Sequence, residues 1–128
     1  MKKISWITHP KYDILLPKNH KFTASKFSDL FNELKSKKFF SNSTILEPQK
    51  ASVEDLEITH DKDYILKIKN GTLTEKEIRR LGFKWSETLS NRSFLAVNGT
   101  LLTCKEALKN GVANHLAGGT HHAHKSFG

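Results

Sequence analysis

The 128-residue chain has a single cysteine, Cys104, three prolines and one methionine. A lone thiol excludes an internal disulfide framework and makes a reducing compartment, the cytoplasm, the expected setting. No run approaches the ~18 consecutive apolar residues of a membrane helix, and Met1-Lys2-Lys3 does not lead into the apolar stretch of a secretory signal. There is no internal repeat and no low-complexity linker. Beyond Glu106 the sequence contains no carboxylate.

Positive charge is abundant: 21 Lys and Arg against 13 Asp and Glu give a net charge of +8 and a pI near 9.6. Such a balance permits attraction to nucleic acid or to an anionic partner. The lysines are scattered, however, and the densest run is only Lys35, Lys37 and Lys38. That pattern suits a solvated surface better than a phosphate-tracking stripe. A small, non-catalytic basic binding protein is therefore the alternative reading, and it rests on charge alone. Eight Phe and two Trp supply material for a core, and the length suits one domain over residues 1–128.

Along the chain, Lys3–Thr8 (KISWIT) reads as a strand, followed by a loop punctuated by Pro10 and Pro17. Residues 23–38 form an amphipathic helix, with Phe27, Leu30, Phe31 and Leu34 at i, i+3, i+4, i+7. Thr44–Glu47 is a short strand ended by Pro48. Ser52 opens a short helix, and Asp61 caps another whose stripe is Tyr64, Ile65 and Ile68, closed by Asn70-Gly71. Thr74 and Glu77 form a capping box ahead of Gly82. Residues 86–110 read as one long helix closed by Gly111. Leu101, Cys104 and Leu108 share its expected buried face, which Leu89, Ala96 and Val97 extend less regularly. Asn98-Gly99 sits awkwardly in its middle, since interior glycine costs about 1 kcal/mol against alanine. Val112–Ala117 is a third strand running into Gly118-Gly119. Strand, helix, strand, several helices, strand predicts α/β layers on a small parallel sheet.

The chemistry concentrates in LAGGTHHAHKSFG. A zinc site needs three or four converging ligands, and neighbouring histidines on extended chain point to opposite sides. With Cys104 the only thiol and no late carboxylate, a self-contained metal site is not expected here. Acid–base work suits the pair better. One imidazole can stay neutral as a base while the other is charged and stabilises a developing oxyanion. Gly118 and Gly119 let the backbone turn and a substrate approach. Such rings need orienting carboxylates.

LAGGTHHAHKSFG resembles the double-histidine motif of the histone deacetylase family, the zinc-dependent deacetylases that include acetoin-utilisation and acetylpolyamine amidohydrolase proteins. HPKYDILLPKNHKF resembles the family's N-terminal loop. PQKASVEDLEITHDKDYILKIKNGTLTEKEIRRLGFKWS resembles its helical segment, with His60 and Tyr64 in place. The likeness spans almost the whole chain, most closely to bacterial members. It implies the N-terminal part of the three-layer arginase/deacetylase-type fold, and a zinc-bound water attacking an acetyl-lysine or similar amide. By position, His122 matches the general acid–base residue, His121 its electrostatic partner, and Gly119 a glycine lining the acyl channel. His60 and Tyr64 receive no catalytic role and are read as packing and capping residues.

In that family zinc is held by an Asp-x-His pair and a further Asp, with an oxyanion-stabilising Tyr later still. No Asp-x-His occurs in this sequence. The expectation is thus about the first third of such an enzyme: a histidine pair with no metal ligand and no cofactor of its own, inactive alone. Its expected partner is a separately encoded remainder of the domain, or a second copy through the open sheet edge, with no membrane and no nucleic acid involved. A parallel sheet stopped after three strands also predicts uncovered apolar surface.

Overall fold

A computed structural model describes residues 3–120 and 122–128. In chain order the elements are β1 (Ile4–Ile7), α1 (Lys26–Ser36), β2 (Ser43–Leu46), α2 (Val53–Glu57), α3 (Lys62–Asn70), α4 (Glu75–Leu81), α5 (Glu87–Asn110) and β3 (Ala113–His115). The strands form a parallel sheet in the order β2-β1-β3. Trp6 lies opposite Ile45 on one side and Asn114 on the other. The α/β architecture with a parallel sheet is the one the element order predicts. Strand and helix ends differ from the sequence expectation by one to three residues, the usual uncertainty where helices fray and ladders stop.

Local chemistry explains where the helices start and stop. Ser52 accepts a hydrogen bond from the Asp55 amide at 3.0 Å, and Ser86 accepts one from Leu89 at 3.0 Å. Thr74 and Glu77 form the complete reciprocal box. The Glu77 carboxyl is pulled down to about 2, first by the Thr74 amide and then by Lys67, which also holds Asp63. Gly71 ends α3 at φ 72°, a left-handed conformation that glycine adopts without strain. A side chain there would also run into Trp85, whose indole Nε1 donates to the Ile68 carbonyl at 2.7 Å. Asp61 departs from expectation. It precedes α3, but its side chain makes no cap hydrogen bond and instead faces Lys125 at 3.5 Å.

Alternation along β1 decides what α5 covers. Ser5 and Ile7 are fully buried, while Ile4 and Trp6 point to the other face. α5 packs on β1 and β3. Beside it the core gathers in three groups: Tyr12, Phe27, Leu95 and Ala96; Ala51, Leu56, Ile65 and Phe94; and Ile14, Phe83 and Leu89.

The buried face of α5 is not the predicted one. Leu89 and Ala96 are buried as expected, together with Arg92, Leu95 and Gly99. Leu101 is 44% exposed and Leu108 90%, and Cys104 is exposed as well. Farther along, the helix meets the sheet through polar residues. The buried Ser5 hydroxyl donates to Glu106 Oε2 at 2.6 Å, and Asn110 donates to the same oxygen at 3.1 Å. A polar seam satisfied by its own hydrogen bonds replaces the apolar stripe that periodicity suggests.

Candidate active site

The carboxyl ends of β1 and β3 lie side by side, because both strands run in the same direction. In open α/β sheets that end is where ligands bind. Here it gathers the loop after β1, with His9 and Tyr12, and the loop after β3, which carries Leu116, Gly118, Gly119 and the histidines. The Leu116 amide donates to Ile7 O at 2.9 Å and carries the pairing one residue past β3.

Beneath these loops sits a polar chain. Tyr12 Oη and His115 Nε2 are 2.8 Å apart, and His115 Nδ1 is 3.3 Å from Thr100 Oγ1. The Thr100 hydroxyl spends its proton on the Ala96 carbonyl at 3.2 Å. Its oxygen is thus free to accept from His115 Nδ1–H, which leaves Nε2 as the acceptor of the Tyr12 hydroxyl proton. One tautomer of a neutral imidazole satisfies the whole chain. Burial lowers the His115 pKa below 6.5, and the Arg92 charge lowers it further. Burial likewise pushes the Tyr12 phenol up to about 12, against the pull of Arg92. Both groups are neutral near neutral pH.

Arg92 ties the two loops together. It is 3% exposed. Its Nε donates to Tyr12 O at 3.1 Å, and its Nη2 donates to Gly118 O at 2.8 Å. The guanidinium lies 4.7 Å from the centre of the Phe27 ring, within cation–π range. Burial lowers its pKa.

Around this loop the sequence singled out Gly118, Gly119, His121, His122, His60 and Tyr64, and it missed Tyr12, Arg92 and His115. Gly119 lies in the loop after β3, next to Thr120, both lining a cavity of about 230 Å³. Its walls include Leu56, Tyr64, Ile68, Phe83 and Arg92, and Phe127 and Gly128 lie along the same cavity. His122 is exposed to solvent. His121 falls outside the described residues. His60 and Tyr64 hold the segment that follows. His60 Nδ1 is 2.7 Å from His124 O, and the Tyr64 hydroxyl donates to Gly128 O at 2.7 Å. Within that segment His124 and Phe127 stack at 4.1 Å, and Arg80 lies over Phe127. Tyr12, Arg92 and His115 escaped the sequence reading. Arg92 could have been found, because it falls at i+3 from Leu89 and four residues before Ala96, a charge inside an apolar stripe.

Among the described residues no three His, Cys, Asp or Glu side chains come together to hold a metal ion. No described helix is long and apolar enough to cross a membrane.

Comparison with known proteins decides the kinship. A family model described as the histone deacetylase domain matches residues 20–128. The chain belongs to the histone deacetylase family. It is 38% identical over 122 residues to an uncharacterised protein of Picosynechococcus sp., covering 95% of this chain and 41% of that protein. It is 30% identical over an alignment of 132 positions to histone deacetylase 2 of Arabidopsis thaliana, covering 95% of this chain and 34% of that protein. The deacetylase-family chain thus spans about two fifths and one third of the length of these curated relatives. Its α/β fold with a three-stranded parallel sheet is consistent with part of the deacetylase fold.

Proposed function

We propose that this chain supplies the histidine-bearing part of a zinc-dependent deacetylase acting on acetyl-lysine or related N-acetyl amides. The observation that carries the reading is the Gly-Gly-Thr-His-His stretch at the carboxyl end of β3, in a chain of this family. His122 is assigned the proton transfer to the leaving amine, His121 the electrostatic support beside it, and Gly119 a place along the acyl channel.

Zinc is assigned to the Asp-x-His pair and further Asp that the family resemblance implies, because no Asp-x-His occurs in this sequence. On this reading the chain alone lacks hydrolase activity and works with the remainder of the domain as a separate polypeptide. The outer edge of β3 supports that partner, because β3 pairs with β1 and terminates the described sheet. Self-association through the same edge is the competing arrangement. A single exposed cysteine suits the cytoplasm.

The test is an acetyl-lysine peptide assay with zinc present. The chain alone gives no hydrolysis above the blank. Addition of a polypeptide carrying the family's Asp-x-His part gives deacetylation, which His122→Ala lowers by roughly 10²–10⁴-fold, the usual worth of a general acid–base. Zinc-dependent hydrolysis by the chain alone overturns the proposal.

A further inference from the structure

Arg92 poses an energetic problem. Burying a cation costs several kcal/mol unless hydrogen bonds and an opposite charge repay it. None of the ion pairs among the described residues includes Arg92. It lies over the Phe27 ring, which belongs to the apolar cluster of Tyr12, Phe27, Leu95 and Ala96, where a methionine would pack without that cost. What the guanidinium does that methionine cannot is reach two backbone carbonyls at once, on segments 106 residues apart in sequence, Tyr12 and Gly118.

The loop after β3 needs such a hold. A Cβ placed on Gly118 would meet nothing within 4 Å, so a side chain there would find no packing partner and the backbone carbonyl is the group left to grip. A carbonyl can still be fixed by a rigid, forked donor. We propose that Arg92 is a positioning residue: it sets the height and orientation of the Gly118-Gly119 stretch, and through it the segment that carries His122, by bridging Gly118 O to Tyr12 O. It touches no substrate itself. The functional half of this statement rests on the deacetylase reading, whereas the bridge is testable without any activity.

The variants are Arg92→Lys, which keeps the charge but has one donor centre, and Arg92→Met, which keeps the packing. Ile65→Val, in the α3 core, serves as a mildly destabilised control. Amide hydrogen exchange in the 128-residue chain is followed at Tyr12 and Leu116, whose amides donate to His9 O and Ile7 O on the two bridged segments, and compared with Ile7 in β1. Arg92→Lys raises exchange at these amides by about tenfold relative to Ile7, as expected when one charge-assisted hydrogen bond is lost, and Arg92→Met, which loses both, raises it at least as much. Ile65→Val leaves the ratio unchanged. If Arg92→Met does not fold, Arg92→Lys alone decides. An unchanged ratio in Arg92→Lys, or a uniform rise across the chain, overturns the proposal. With the rest of the domain supplied, Arg92→Lys lowers kcat and leaves KM unchanged. Failure of all deacetylation, with the exchange result intact, would strike the functional reading and spare the bridge.

Discussion

At Gly99 two effects pull in opposite directions. Glycine inside a helix costs about 1 kcal/mol against alanine, so propensity alone favours Gly99→Ala. A Cβ there, however, would lie 2.3 Å from Tyr12 Oη and 2.5 Å from His115 Nε2. Neither can retreat, because each is the other's hydrogen-bond partner in a buried cluster. Gly99→Ala is therefore expected to destabilise by about 1–3 kcal/mol, the usual cost of overpacking. Urea unfolding measures it, and a variant as stable as the parent contradicts the close approach. His115 yields a pH prediction. Its folded pKa lies below 6.5, so below about pH 6.5 the unfolded chain binds the extra proton and the folded state loses stability. Urea midpoints should climb as pH rises toward about 6.5 and level off above it, and His115→Gln should flatten that climb. From sequence Gly99 looked like a flaw in a helix. Its reason is tertiary, a tyrosine 87 positions upstream, and no local pattern reveals it.

Among the elements, short helices were the most legible. Ser52, Thr74, Ser86 and the glycines at 71 and 82 punctuate the chain by rules that act within a few residues. The face of α5 was misread for a physical reason. Hydrophobic periodicity finds the buried side only when burial is apolar, and here the buried side carries Arg92 and Gly99 and meets the sheet through Glu106 and Asn110. The corrected orientation separates two substitutions. Leu95→Ala, at a buried position, should cost about 2–5 kcal/mol. Leu108→Lys, on the outer side, should shift stability by no more than about 0.5 kcal/mol. Comparable losses at both positions would contradict the α5 orientation.

For the molecule as a whole, the sheet presents one face to α5 and leaves Ile4 38% and Ile45 43% exposed on the other. With β3 at its margin, such a sheet offers both an edge and apolar area for further chain. The histidine motif was legible in the sequence because it is contiguous. The bridge beneath it was not, since Tyr12, Arg92 and His115 converge only when β1, α5 and β3 assemble. On the proposed function, the twin imidazoles are one part of a centre whose ion is held by other residues. Zinc content after equilibrium dialysis of the 128-residue chain tests this most directly, with the His121→Ala/His122→Ala double variant alongside. The same background zinc is expected in both. A stoichiometric, tightly held zinc in the parent that disappears in the double variant would contradict it.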